Sequence, residues 1–584
     1  MILSLFLSFP IQEPPVQRGI TILESRDLAA QLQDAKELLE ANQLRTAVAT
    51  LQGILEADSA ALVRKSPEDL LFVGASHLAL QLLQSLPPEA TLVREQMVGR
   101  RAQDQLLFAL EPLNMNSLRN VALRYPGTAA GRQAEAVLES ILLDHGLFQR
   151  AANGRTPDTF LPESWIPELP SPGLRYPLQT HTVSSSTDTS LPLVSGSGLV
   201  ETWRYSFQDP PFKDTFYTKH RAAIAGGMIF LTDSKEVVAI NGASGKVKWR
   251  FNGSPDWGPL LSTTHSNQLR WKSLMRGFDS ASVFAPIIEE GIVLAVLQEP
   301  WLIGRSDSYH EIEVRNHLPG RRLYAFDSSS GEVLWKQQVP WADPRHRTSA
   351  KDLAASPPAA KAGMVFLPVY HASGTLDLSL LALDLHSGKE LWRTFLVSGT
   401  RESNLFGNVL QELSCPAPAT RDETVYVCSN LGAVCAVDAY SGAALWTRIY
   451  ERTSVNTYQT GEMARRESSF ANATPAITDR HLLFTPTDSA NALLLDPRDG
   501  ELLGLLPSGW QAGGEPVQLT NLVSMTPHGA FFNGTHGAFL GFPGSTGLNF
   551  HTEALLHETS SVAQQRMGAL ARNEWFLPNL DGIL

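Results

Sequence analysis

Cysteines, histidines, carboxylates and glycine-rich segments are where this chain could carry nucleophilic, metal, acid–base or phosphate chemistry. Its cysteines are Cys415, Cys428 and Cys435. They are too few for a disulfide framework and form no CxxC zinc pattern. Cys428 and Cys435 flank Ser429-Asn430-Leu431-Gly432. A symmetric hairpin over that turn predicts two small buried thiols facing each other across its strands. His220, His265, His310, His317, His346 and His371 are scattered, with no metal-ligand spacing such as HExxH. The glycine-rich GTHGAFLGF at 534–542 joins two strand-like runs. It therefore reads as a hairpin turn and not as a phosphate loop, which needs a strand followed by a helix. Asp279, Glu289 and Glu290 read as turn or solvent groups. The residue types and spacings thus name no catalytic, cofactor-binding or metal residue.

One spacing does recur. It reads INGASGKVKW at 240–249, FDSSSGEVLW at 326–335, LDLHSGKELW at 383–392 and VDAYSGAALW at 437–446. Weaker copies are LDPRDGELLG at 495–504 and FPGSTGLNF at 542–550. In the good copies Asn241, Asp327, Asp384 or Asp438 precedes a glycine, and that glycine precedes a tryptophan: Gly245 and Trp249, Gly331 and Trp335, Gly388 and Trp392, Gly442 and Trp446. The Asx side chain can accept hydrogen bonds from turn amides and glycine supplies positive φ, so the unit predicts two strands joined by a tight turn. The tryptophan falls on the outer strand, where a flat ring can wedge against the next sheet. Upstream lie MIFLT, MVFLP and TVYVC, apolar on both faces as expected for stacked blades.

These tryptophans need elements to hold them, and the chain divides accordingly. Residues 1–25 contain Ile2 to Phe9, an apolar stretch of signal-peptide length with no Lys or Arg before it. No Cys stands near the start, as a lipid anchor would require. Residues 26–152 have helical period. Leu28, Leu32, Ala35 and Leu39 share one face, and after Asn42 so do Leu44, Val48, Leu51 and Leu55. Ser66-Pro67-Glu68-Asp69 reads as a helix start, and Thr128 as the cap of a helix reaching about Asp144. Residues 153–199 are rich in Pro, Ser and Thr and read as a linker. Residues 200–584 are the all-β part. The fold class is therefore multidomain: an N-terminal α-helical hairpin array followed by a β-propeller.

The repeated copies resemble the PQQ-type (quinoprotein-like) propeller repeat, with its apolar strand, Gly turn, Ala-x-Asp-x-x-x-Gly-x-x-x-Trp stretch and docking tryptophan. Ala382-Leu383-Asp384 and Ala436-Val437-Asp438 match it most closely. The helical part is similar to tetratricopeptide packing without the full signature of that repeat. The glycines at 245, 331, 388 and 442 lie farther apart than the roughly 40 to 45 residues of a minimal blade. The excess falls in inserts at 254–280, 300–320, 339–354 and 447–470, on a rim where binding surfaces usually lie. Val200 to Phe207 reads as a lone outer strand carrying Trp203. Gly568 to Pro578 reads as an inner strand, and Asn579-Leu580-Asp581-Gly582 as a further turn. Together they fit a ring of about seven blades closed by both chain ends, with a last blade left incomplete at Leu584 as the alternative.

The same blades build quinone dehydrogenases and binding propellers. The resemblance implies for a dehydrogenase a planar quinone clamped by aromatics, a cation and a carboxylate base, with adjacent cysteines in the alcohol-oxidising branch. No adjacent cysteine pair occurs here, and no cofactor is expected. The net charge of -12 and pI of about 5.7 disfavour nucleic acid, since an acidic surface gains nothing from counterion release. No run approaches the ~20 apolar residues of a membrane span. The expected function is a non-catalytic interaction or scaffolding module that holds other proteins through rim loops and the helical domain. It is placed in the periplasm or secreted, as envelope propellers that scaffold outer-membrane protein assembly are. The alternatives are a PQQ-dependent dehydrogenase and a cytoplasmic location.

Overall fold

The computed structural model describes residues 19–57, 60–66, 69–144, 203, 222–232, 236–251, 285–299, 320–337, 352–372, 375–399, 414–453, 469–512, 515–526, 529–534, 538–541, 550–551, 569–571, 574–576, 578–579 and 582–583. The N-terminal part opens with strand β1 (Ile20–Thr21), followed by helices α1 (Arg26–Glu40) and α2 (Leu44–Glu56). Ser25 caps α1 by accepting from the Leu28 amide at 3.2 Å. Leu28, Leu32 and Ala35 are buried against Leu51, Ile54 and Leu55 of α2, as the helical period requires. Asn42 takes positive φ between the two helices. Strands β2 (Leu62–Arg64) and β3 (Leu71–Gly74) follow, then α3 (Ala75–Gln84), α4 (Pro88–Leu110), α5 (Met115–Arg124) and α6 (Ala129–Asp144). Thr128 caps α6 through the Gly131 amide at 3.0 Å. The buried Arg94 guanidinium ties α4 to Gln52 of α2 at 2.7 Å and to the Arg124 and Pro126 carbonyls before α6.

The expected helix start at Ser66-Pro67 is not one. Ser66 lies in a bend and Asp69 accepts from the Leu71 amide at 3.0 Å, which turns the chain into β3. The reason is tertiary: LFVG is apolar, and a waiting sheet edge outcompetes local helix propensity.

Successive antiparallel meanders, most of them four-stranded, make up the rest of the described residues. The first runs through Ala223–Ala225, Met228–Thr232, Val237–Asn241 and Val247–Phe251. The second runs through Ile287–Glu289, Ile292–Glu299, Gly320–Asp327 and Val333–Lys336. In the third, Asp352–Ala354 and Ala359–Lys361 both pair with Met364–Ala372, before Leu376–Asp384 and Glu390–Gly399. The fourth is Ala419–Arg421, Thr424–Cys428, Ala433–Asp438 and Ala444–Ile449, and the fifth is Ala476–Ile477, Leu482–Phe484, Asn491–Leu495 and Leu502–Pro507. A sixth sheet contains Gly509–Ala512, Glu515–Thr526, Gly529–Gly534, Ala538–Gly541 and Phe550–His551. The glycine-rich 534–542 segment lies at the antiparallel pairing of Gly529–Gly534 with Ala538–Gly541, a hairpin as expected. The first strands of the first five sheets neighbour one another from sheet to sheet, and the tryptophan-bearing strands lie at the opposite edge.

Each Asx turn is built alike. Asn241, Asp327, Asp384 and Asp438 accept from amides two or three residues on, at 2.7–3.2 Å. The Asp327 carboxyl is lowered to about 2, first by the Ser329 hydroxyl. The turn glycines have φ of 67–77°, and each receives the indole of the preceding sheet. A Cβ on Gly331 would lie 2.5 Å from Trp249, and one on Gly388 the same distance from Trp335. Gly442 receives Trp392, Gly500 receives Trp446, and Gly245 receives Trp203. Each indole N–H donates to a carbonyl of the turn it covers: Trp203 to Gly242, Trp249 to Ser328, Trp335 to Leu385, Trp392 to Ala439 and Trp446 to Pro497, at 2.8–3.3 Å. Trp249, Trp335 and Trp446 are buried, whereas Trp392 is half-buried.

The proposed closing strand 200–207 lies outside the described residues apart from Trp203. At the other end, the segment read as one inner strand is a hairpin of Ala569–Ala571 with Glu574–Phe576. The following turn joins the paired Pro578–Asn579 and Gly582–Ile583.

The sequence reading has no strand before residue 200, yet β1 and β3 enter the sheets. Strand β1 pairs with the outer strand of the third sheet, Ile20 opposite Gly399. Strand β3 pairs with the outer strand of the fourth, Val73 opposite Trp446 and Phe72 opposite Thr447, and β2 pairs with β3. The approach is close enough that a Cβ on Gly74 would strike the Ala444 carbonyl. The Arg119 guanidinium of α5 lies 4.3 Å over the ring of Tyr440, which stands inside the fourth Asx turn. A cation over an aromatic face contributes about 0.5 to 2 kcal/mol. Lys65 forms an ion pair with Glu501 of the fifth sheet.

Two expectations follow. Trp446→Ala removes a fully buried indole and should cost about 3 to 5 kcal/mol, read by denaturant unfolding; an unchanged midpoint would contradict the docking role. Phe72→Pro places proline between two paired strands, where a ladder amide is lost. Calorimetry should then resolve separate transitions for the helical region and the sheets where the parent chain gives one. A single unshifted transition in the variant would contradict strand addition as the anchor.

Candidate functional site

The strand ends opposite the Asx turns carry a buried polar network. Asp488, in the loop after Leu482–Phe484, accepts from the Tyr450 hydroxyl at 2.6 Å and from Arg452 Nε at 2.6 Å. Asn430, at positive φ in the turn of the fourth sheet, donates to Asn472 Oδ1 and to the Ser414 carbonyl, each at 2.7 Å, and accepts from the Thr487 amide at 3.1 Å. The Tyr370 hydroxyl lies 3.0 Å from Cys415 Sγ, and both reach the Ser429 carbonyl. Burial pushes the Tyr370 and Tyr450 hydroxyls well above the usual phenol range, so both stay neutral donors. Such a satisfied network fixes loop geometry in a low-dielectric setting. It braces the loops between the third, fourth and fifth sheets.

The cysteines belong to this region without facing each other. Val427 pairs with Cys435 and Cys428 with Val434. The one-residue offset sends the two thiols to opposite faces of the sheet. Cys435 packs with the third sheet and Cys428 with the fifth. All three thiols are free and buried, and burial raises Cys415 and Cys435 to about 12.

Of the histidines singled out in the sequence, His371 lies half-buried in the strand Met364–Ala372, and the others lie outside the described residues, as does Asp279. Glu290 and Gly291 form a positive-φ turn, while burial raises the Glu289 carboxyl on the adjoining first strand. Among the described residues, no three His, Cys, Asp or Glu side chains are placed to hold a metal. The neighbouring first strands read AIA, IIE, AAK, ATR and AI. They offer Glu289, Lys361 and Arg421 and no aromatic side chain. The aromatic side chains lie between sheets instead, as in Trp249 with Phe230 and Phe326. No described helix is long and apolar enough to cross a membrane.

Thiolate is the reactive form of cysteine, and a pKa near 12 withholds it at neutral pH. The folded chain should therefore leave Cys415, Cys428 and Cys435 unmodified by a colorimetric disulfide reagent at pH 8, and denaturant should release all three. Stoichiometric reaction of the folded chain would contradict their burial.

Comparison with known proteins is consistent with this architecture. Residues 315–532 match the family model described as outer membrane protein assembly factor BamB. No curated protein matches the chain. Among solved structures the chain is similar to BamB from Moraxella catarrhalis, at 13% identity over 62% of this chain and 82% of that one, with TM-score 0.34. It is also similar to a europium-containing methanol dehydrogenase, at 10% identity, 62% and 71% coverage and TM-score 0.35. A third is the quinohemoprotein alcohol dehydrogenase from Comamonas testosteroni, at 10% identity, 62% and 63% coverage and TM-score 0.36. At this level of similarity none of these structures speaks for a function. The family match and the run of Asx-Gly-Trp sheets together support a PQQ-type β-propeller repeat in the sheet region.

Proposed function

We propose that this protein is a non-catalytic scaffold of the cell envelope that holds other proteins on its propeller and helical region. The observation that carries the reading is strand addition: the outer edges of two adjacent sheets already hold polypeptide, in the form of β1 and β3. Main-chain pairing at a sheet edge is a general means of protein recognition. The family match over 315–532 supports the reading, because the protein it describes is an outer membrane protein assembly factor. In this proposal residues 26–152 are the helical module, 153–199 the linker and 200–584 the propeller, with the rim inserts as further contact loops.

The test uses the full chain. With added PQQ and calcium it should show no dye-linked oxidation of alcohols or aldoses, and as bait in an envelope extract it should retain a discrete, stoichiometric set of proteins. Quinone-dependent dye reduction would replace the scaffold reading with that of a dehydrogenase.

A further inference from the structure

In each of the first four sheets, the residue after the Asx side chain is tied to a preceding hairpin of the same sheet. The Gly242, Ser328, Leu385 and Ala439 amides donate to the Gly227, Gly291, Gly363 and Glu423 carbonyls at 2.7–2.9 Å. The first turn differs from the others in two residues that bear on one reaction. It has Asn241 where they have Asp327, Asp384 and Asp438, and Gly242 where they have Ser328, Leu385 and Ala439. An asparagine followed by glycine is prone to ring closure. The next backbone nitrogen attacks the side-chain carbonyl carbon, and glycine has no Cβ to obstruct it. Asn241 is exposed, so water reaches the turn. Its Oδ1 accepts from the Ala243 amide at 3.2 Å, the Ser244 amide at 2.9 Å and the Ser244 hydroxyl at 3.0 Å. Such donors stabilise the negative charge that attack would place on Oδ1. The nucleophile is the part withheld, because the Gly242 N–H is held at 2.9 Å by Gly227 of the neighbouring hairpin.

We propose that Asn241 is a site of spontaneous deamidation, gated by the hydrogen bond from Gly242 to Gly227. When the hairpin at Gly226-Gly227 opens, the Gly242 nitrogen gives its proton to solvent and attacks Asn241 Cγ. A new carbon–nitrogen bond closes an imide ring, the side-chain carbon–nitrogen bond breaks, and ammonia leaves after taking a proton from solvent. Water then opens the imide at one carbonyl or the other, giving aspartate or isoaspartate. The donors on Oδ1 all lie within 241–244, so opening of the neighbouring hairpin leaves them in place. The two products differ in consequence. Aspartate keeps the turn, since Asp327, Asp384 and Asp438 hold theirs through the same acceptor atom. Isoaspartate inserts a carbon into the backbone and displaces the Gly242 carbonyl, which receives the Trp203 indole at 2.9 Å. The reaction therefore either preserves the docking of the first sheet or breaks it.

Peptide mapping by mass spectrometry reads the reaction in the full chain held at about pH 8. It separates Asn241 from Asn153, Asn252 and Asn533, which glycine also follows. Asn241 should react at least about tenfold more slowly in the folded chain than in a synthetic peptide spanning 237–247. Gly227→Val strains a positive φ in the gating hairpin, at a position where a Cβ would meet nothing within 4 Å. It should raise the rate at Asn241 at least about threefold. Gly363→Val makes the same change in the matching hairpin of the third sheet and should leave that rate at the parent value. Asn241→Asp should melt with the parent chain. Should Gly227→Val not fold, low urea on the parent chain replaces it. The rate at Asn241 should then rise in step with hydrogen exchange of the Gly242 amide. A folded rate equal to the peptide's, equal rates in the two glycine variants, a flat rate while the Gly242 amide exchanges, or a clear loss of stability in Asn241→Asp would overturn the proposal.

Discussion

The contact of an indole with a left-handed glycine in the next sheet is what the rest of this structure depends on. The glycine at positive φ leaves its turn open on one side, and the ring fills it. Because the indole N–H donates to a carbonyl of the same turn, the contact fixes both distance and orientation. The Asx side chain holds the turn that receives the ring. Repeated from Trp203 to Gly500, the contact sets the first five sheets against one another by one rule. The intersheet cores then fill with Val, Leu, Ile and Phe from both faces.

A stack ordered in this way leaves outer edges, and edges are a hazard unless they are covered or used. This chain covers two of them with its own N-terminal strands. The helical region is thus joined to the propeller by main-chain pairing as well as by the cation–π contact at Tyr440. Tyr440 is particular to the fourth sheet. The matching turn positions elsewhere are Ala243, Ser329, His386 and Arg498, none of which offers an aromatic face to Arg119. The same turn that receives Trp392 therefore also identifies the sheet on which the helices sit.

Much of this was legible in the residues. The Asx, Gly and Trp spacing reports a local turn and a contact to the next repeat, and both depend on residues only a few positions apart. The helical period of α1 and α2, and the cap at Thr128, are local in the same sense. What could not be read is long-range. Ser66-Pro67 has the composition of a helix start, and pairing with Leu62–Arg64 and with the edge at Ala444–Ile449 makes LFVG a strand. The offset of Cys428 and Cys435 depends on how Ser429 to Gly432 close their turn, which spacing alone leaves open. The rim network is assembled from loops of three sheets, so no single segment of sequence announces it.

The account turns on sheet edges as the elements by which this protein holds polypeptide, and strand β3 is the instance seen directly. Hydrogen exchange of the full chain, read by mass spectrometry, tests it. Amides of Leu71–Gly74 should be protected and should lose protection together with those of Ala444–Ile449, as one cooperative unit. Complete exchange of Leu71–Gly74 at the first time point, with Ala444–Ile449 still protected, would contradict it.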